Sequence, residues 1–487
     1  MALLTYNTGR GRWVLAATVG GSAIASIDAT AVNIALPAIG HEFGTGLETL
    51  QWVVTSYTLT LAGLLLVAGA LGDRYGRRRV FDIGIVWFAL ASLLCSLAWN
   101  PETLIGARAL QGVGAALLTP GSLAILEAVF VPADRGRAIG AWSGLTGVAS
   151  AIGPFLGGWL IQTASWRYIF AINLPIALAV VLISRRHIPE SRDPEATGQI
   201  DVTGGVLVTL GLVGLTFGLI QGPSIPALVV GVLLLAAFIA WERRAPSPIL
   251  PLHLFKSSQF SATNLVTFIV YGAMGGALFL LPIQLQEVSG YTPLQAGISL
   301  LPVTVIMLLL SARSGAVAAR IGPKLQMSLG PILVGLGFAL FTQIDATGSY
   351  LTSVLPGVTV LGLGLAVTVA PLTATVLAAV PARHAGVASA VNNDVARAAA
   401  LIAVAVLPAA AGITSSAYLS ATQFTEGFHT ASLICAALCI LAGVLAALTI
   451  RNETRAPVAP PTQPWHCQLD APIPRVAAAP ETTEPRT

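Results

Sequence analysis

The chain has 487 residues, of which 55% are hydrophobic and only 9% charged, with a formal net charge of +4. Soluble globular domains are roughly one quarter charged, so this balance excludes an ordinary soluble fold and points to a membrane protein. The basic residues are spread over short connections rather than gathered in a patch, which argues against nucleic-acid binding.

A hydrocarbon core about 30 Å thick takes about 20 apolar residues as a helix. Spans that meet this requirement fall in chain order at 13–36, 50–71, 80–98, 103–126, 138–162, 167–184, 203–221, 226–241, 261–286, 294–313, 325–343, 352–377, 387–412 and 430–450. The expectation is an all-α integral membrane protein of 14 transmembrane helices. Ala29-Thr30-Ala31 has the small-residue spacing of a signal-peptide cleavage site, but the apolar run continues past it, so the first span is read as a retained helix. With the N-terminus placed in the cytoplasm, the inner connections hold Arg74, Arg77, Arg78 and Arg79, then Arg135 and Arg137, and on through Arg313, Arg320, Arg383, Arg451 and Arg455. The outer ones hold Glu42, Glu48, Glu102, Glu287, Asp345 and Glu426, with Arg167 as the basic exception. This is the positive-inside pattern, with both termini cytoplasmic.

An internal repeat organises the spans. GALGDRYGRR at 69–78 aligns with GAVAARIGPK at 315–324. Leu36-Pro37 aligns with Leu281-Pro282, and Pro132-Ala133 with Pro381-Ala382. The expected division is an N-terminal six-helix half (1–184), a linker with two extra transmembrane helices (185–259), a C-terminal six-helix half (260–450) and a disordered cytoplasmic tail (451–487).

Within the first span, SIDATAVNIALP at 26–37 places a carboxylate, Asp28, in an otherwise apolar helix. A charge at mid-membrane costs about 2.5–3.5 kcal/mol on insertion scales, and such residues are functional sites by default. Burial penalises the ionised form, so Asp28 needs a proton or a cationic partner. Counting from the outer surface, Asp28 lies about 12 Å deep and Arg108 of the fourth helix about 8 Å deep, at 1.5 Å per residue. The two are expected to pair in one protonation state and separate in another, with Gln111 on the Arg108 face. The alternatives are an aspartate that is merely hydrogen-bonded and an arginine that snorkels to the outer interface. Cys95, Cys435 and Cys439 lie in apolar spans and Cys467 in the tail, with no metal-site spacing. No GxxxxGK[ST], HExxH or paired CxxC occurs, so neither a P-loop motor nor a zinc hydrolase is suggested.

Five stretches in order resemble the major facilitator superfamily, in its 14-helix drug:proton antiporter branch. They are DATAVNIALP (28–37), GALGDRYGRRRV (69–80), ARALQGVGAAL (107–117), GLTGVASAIGPFLGGWL (144–160) and WRYIFAINLPIA (166–177). The resemblance implies the major-facilitator fold, two six-helix halves plus two inserted central helices. It implies proton coupling through Asp28 and Arg108, and a gate formed by Gly69, Asp73, Arg74, Gly76, Arg77 and Arg78. In the second copy of the gate Ala319 replaces the acid, so that copy is expected to be weaker. The resemblance further implies an antiporter motif at Gly144, Gly153, Pro154, Gly157 and Gly158, associated with export. Ordinary topology signal and helix packing account for part of both patterns.

In the second half, Asn393, Asp394 and Arg397 form a polar site, or else Asp394 and Arg397 simply neutralise each other at i,i+3. Tyr57, Trp142, Asn264, Tyr271 and Gln284 are candidates to line a central cavity. The implied activity is export of a drug or antibiotic, conferring resistance or exporting a self-made antibiotic. The alternative is an uptake or uniport carrier of a small metabolite with the same fold. Not an enzyme, the chain is expected to use no cofactor beyond the proton gradient of a bacterial plasma membrane. Its expected partners are the small-molecule substrate, protons and membrane lipid, with no nucleic acid, and it is expected to act as a monomer.

Overall fold

The computed structural model describes residues 3–193, 200–222, 224–346, 349–381, 384–414, 418 and 420–452. Among them, 14 helices are long and apolar enough to cross a membrane. They are α1 (Gly9–Phe43), α2 (Leu47–Tyr75), α3 (Arg77–Ser96), α4 (Pro101–Val129), α5 (Pro132–Thr163), α6 (Tyr168–His187), α7 (Val202–Ile220), α8 (Ile225–Glu242), α9 (Ser258–Val288), α10 (Pro293–Ile321), α11 (Lys324–Gln343), α12 (Tyr350–Ala378), α13 (Ala385–Ala410) and α14 (Ala421–Thr449). The expected tail, with Arg455 and Cys467, and also Arg383, lies outside the described residues.

Apolar windows locate the helices but cut them short, because backbone hydrogen bonding continues until a cap intervenes. α1 begins after Thr8, whose hydroxyl accepts from the Gly11 amide at 3.1 Å, and ends at Gly44 with φ of 61°. Pro37, expected at the helix exit, therefore lies inside α1. Asp28 is 15 residues from Phe43, or about 22 Å along the helix, near mid-length rather than in the outer part.

The repeat is visible in the packing. In the first half α3 packs on α4, α2 on α4, α1 on α5, α1 on α6 and α3 on α6. The second half repeats these pairs as α11 on α12, α10 on α12, α9 on α13, α9 on α14 and α11 on α14. The inserted pair α7–α8 is a hairpin. Its α7 lies against α2, where Gly63 faces Thr209 and Gly205 faces Val67, and it also touches α13.

The two ends of the molecule differ, and are named here by residues in their connections. At the His41 end, one apolar cluster joins both halves, including Leu36, Leu50 and Phe170 of the first half with Phe279, Phe338 and Phe428 of the second. At the Arg77 end each half keeps a cluster of its own, around Phe81 and Phe130 in one and around Phe260 and Met327 in the other. The largest shared core thus lies at the His41 end, and a smaller cluster joins Leu59 and Ala62 of the first half to Leu401 of the second through Leu212 of the inserted pair.

Candidate functional site

Asp28 and Arg108 meet in the interior of the first half, the carboxylate 1% exposed and the arginine 1%. Arg108 Nη1 donates to Asp28 Oδ2 at 2.5 Å and to Gln111 Oε1 at 2.5 Å, while Arg108 Nε donates to the Val53 carbonyl at 3.2 Å. Asp28 Oδ1 accepts from Gln111 Nε2 at 2.7 Å and from Asn173 Nδ2 at 3.3 Å. Ser92 Oγ accepts from the same two amides, at 2.9 Å and 3.3 Å. The guanidinium carbon lies 4.3 Å from the centre of the Tyr57 ring and 5.7 Å from that of Phe170. Five helices therefore contribute partners to one charged pair. Such a pair is costly to bury, and the hydrogen bonds from its neighbours offset part of that cost. Arg108 does not snorkel outward.

Sequence reasoning missed Asn173 and Ser92. Asn173 sits in the apolar run WRYIFAINLPIA, so the criterion that singled out Asp28 applied to it as well. Ser92 carried no such signal, since its hydroxyl gains meaning only when α3 closes against α4 and α6.

The antiporter motif divides into two parts. A side chain at Gly144 would meet open space. Further along, Gly153 packs on Ile27 and Thr30, and Gly157 on Ala31, so α5 grips the stretch of α1 that carries Asp28. Gly158 packs on Pro293 and Leu294 of the second half. Pro154 has no N–H, which leaves the Ser150 carbonyl without its helical donor. The Thr30 hydroxyl lies 3.0 Å from that carbonyl and donates to it.

At the α2–α3 turn, Asp73 accepts from Arg77 Nε at 2.9 Å and Nη2 at 2.8 Å. Arg77 also reaches the Ala124 carbonyl of α4 at 3.4 Å. Gly76 has φ of 116°, a conformation that L side chains rarely adopt. Glu190, unassigned from sequence, lies over this turn and accepts from the Arg78 and Arg79 amides at 3.1 Å and 3.2 Å, with Arg78 Nε 3.7 Å away. It caps α3 from beyond α6. Gly69 lies near Pro120 of α4, and Arg74 lies against the Tyr75 ring. In the second copy Gly322 has φ of 86°, and Asn452 takes the place of Glu190, accepting from the Lys324 amide at 2.9 Å.

Asp394 and Arg397 are not within ion-pair distance of each other, so the mutual neutralisation expected from their spacing does not take that form. One Asp394 oxygen is buried with no donor among the described residues. Asn393 turns back to the Ser389 carbonyl at 2.9 Å, and Asn392 bridges to Asn264 at 3.1 Å. Tyr271 borders a small cavity of about 70 Å³ with Asn392 and Asn393. Gln284 donates to Thr425 at 3.2 Å and Trp142 to Ser22 at 3.0 Å, so both hold helices together. A larger groove of about 740 Å³, lined by Arg79, Asp82, Trp87 and Arg185, lies between α3 and α6 and includes none of the Asp28 partners.

Three polar links fasten the halves at the His41 end. His41 meets Glu287 at 2.8 Å, Gln286 Nε2 donates to the Ile34 carbonyl at 3.0 Å, and Gln51 Nε2 donates to the Val404 carbonyl at 2.7 Å. Val404 is the carbonyl that Pro408 leaves unpaired, four residues on. Nearby, burial and then the Glu287 charge push the Tyr418 phenol up to about 12, so it stays a neutral hydroxyl. Arg167, the basic exception among the connections expected to be outer, is paired with Glu42 at 2.6 Å.

Comparison with known proteins agrees with this architecture. Residues 18–404 match the family described as Major Facilitator Superfamily. The puromycin resistance protein pur8 of Streptomyces alboniger is 33% identical over 467 residues, covering 91% of this chain and 92% of that protein. The tetracenomycin C resistance and export protein of Streptomyces glaucescens is 34% identical, covering 79% of this chain and 73% of that protein. Among solved structures, a POT family transporter in complex with 5-aminolevulinic acid aligns with a TM-score of 0.68 at 14% identity, covering 90% of this chain and 96% of that one. At that identity the likeness concerns the fold alone.

Proposed function

The chain belongs to the Major Facilitator Superfamily, and from that premise we propose that it is a proton-coupled antiporter exporting a drug or antibiotic across a bacterial plasma membrane. The observation that carries the reading is the sealed Asp28–Arg108 pair, a titratable group that can trade a proton for a cationic partner. The resistance and export functions named for the relatives support the substrate class. The arginine-rich Arg77 end is the cytoplasmic side on the positive-inside rule.

On this reading the structure is the inward-facing state, with the halves joined at the outer, His41 end and Asp28 ionised. Substrate enters from the cytoplasm, and the halves rock about the central site. A proton from outside then neutralises Asp28, loosens its hold on Arg108 and favours release. Loss of that proton to the cytoplasm restores the pair. Membrane vesicles with an imposed proton gradient test the cycle. Asp28→Asn is expected to abolish gradient-driven transport, and full proton-coupled transport by that variant would refute the mechanism. Direction separates export from uptake: collapsing the gradient in cells should raise accumulation of the substrate.

A further inference from the structure

The inserted hairpin carries two acids that the transport cycle above does not use. Asp201 immediately precedes α7 and Glu242 ends α8, so the antiparallel course of the hairpin brings them together. Glu242 is 4% exposed. One oxygen of each carboxylate is fastened. Asp201 Oδ1 accepts from the Gly204 amide at 2.8 Å and from the Trp241 indole at 2.8 Å, and Glu242 Oε2 accepts from the Leu250 amide at 2.9 Å.

The remaining oxygens, Asp201 Oδ2 and Glu242 Oε1, are buried and meet no donor among the described residues. They face one another. Both lie 2.5 Å from the point where Gly204 would carry a Cβ, so the two oxygens share one small space. No described arginine or lysine pairs with either acid. The neighbouring Arg243 and Arg244 are exposed.

Ionised carboxylates only accept, so two bare ones cannot bond and instead repel; one proton between them removes both deficits. A hard metal ion would need six or more oxygens, and no group of three acidic, histidine or cysteine side chains is gathered among the described residues. We propose that Asp201 and Glu242 form a proton-binding site, an acid pair that shares one proton and clasps the open end of the inserted hairpin. Gly204 leaves the room in which the two side chains meet. Because α7 rests on α2 of one half and α13 of the other, loss of that proton loosens the hairpin beside the boundary between the halves.

The sign of the effect follows from proton counting. The folded pair keeps a proton that ordinary carboxylates have lost by neutral pH, so the folded state binds more protons and its stability falls as pH rises. The test uses the purified full-length protein, melted from about pH 5.5 to about pH 8.5, a range chosen to lie above ordinary carboxylate titration. Wild type should lose thermal stability toward high pH. Glu242→Gln, whose amide donates to Asp201 without a titrating proton, should lose that part of the slope and keep the melting midpoint of wild type at low pH. Asp201→Asn is the mirror variant should the first fail to fold. Infrared difference spectra should show a protonated-carboxyl band in wild type that is lost in both variants. A slope and band unchanged in both would overturn the proposal. So would Na⁺, Mg²⁺ or Ca²⁺ raising the high-pH midpoint of wild type but not of Glu242→Gln, which would make the site a cation site.

Discussion

At the scale of single residues, the Asp28–Arg108 pair makes an energetic prediction independent of transport. Removing one member of a buried, hydrogen-bonded pair leaves the other uncompensated, at a cost of about 3–5 kcal/mol. Asp28→Asn and Arg108→Gln should therefore each lower thermal stability strongly. The double variant should melt above the less stable single one, because neutral amides replace both charges and the two sites are coupled. Additive losses in that cycle would mean that the pair contributes little as a pair. Asp28 and Arg108 were legible in the sequence because a charge in an apolar helix stands out against its surroundings. Their partners were less so. Asn173 lies 145 residues from Asp28, and only the packing of α6 on α1 and α3 gives its amide an acceptor.

At the scale of helices, prolines make carbonyls available to neighbours. Thr30 donates to the carbonyl freed by Pro154, just as Ser314 lies 3.2 Å from the Val367 carbonyl freed by Pro371. Thr30→Val should cost about 0.5–1.5 kcal/mol by removing a hydrogen bond from a partly buried carbonyl. Adding Pro154→Ala, which restores the helical N–H, should recover part of the lost melting temperature. No recovery would show that the hydroxyl serves α1 alone. The cap on α3 gives a second measurement. Glu190→Ala should lower stability by about 0.5–2 kcal/mol, the range for a lost helix cap, while Glu190→Gln, whose single carbonyl oxygen accepts from only one of the two amides, should lose part of that. Thermal melts of the two variants compare them directly. Apolar length was enough to count the helices, since lipid demands it. The caps were not legible, because Glu190 is 112 residues from the amide it serves.

At the scale of the whole molecule, the polar links described between the halves gather at the His41 end. A cysteine pair at His41 and Glu287, bridged by a short bifunctional reagent, should cross-link readily in membranes and stop transport, with recovery on reduction. Transport that continues through the cross-link would mean that this end need not open. The aligned turns anticipated the repeated pairing of the helices. The match between halves at a given helix pair follows from the repeat, but the closed end does not. It depends on side chains such as Gln51 and Gln286, whose polarity alone does not announce a partner some 353 or 252 residues away.

Asn452 has a consequence for the order of synthesis. The second half's α10–α11 turn, with Gly322 at φ of 86°, receives its side-chain cap from a residue beyond the last helix. Its counterpart in the first half is capped by Glu190, also beyond that half's last helix. Each turn thus stays uncapped on the ribosome until its whole half has emerged. A chain trimmed at Ile450, where the apolar sequence stops, would release a protein whose second half never receives its cap; the safe place to cut lies after Asn452.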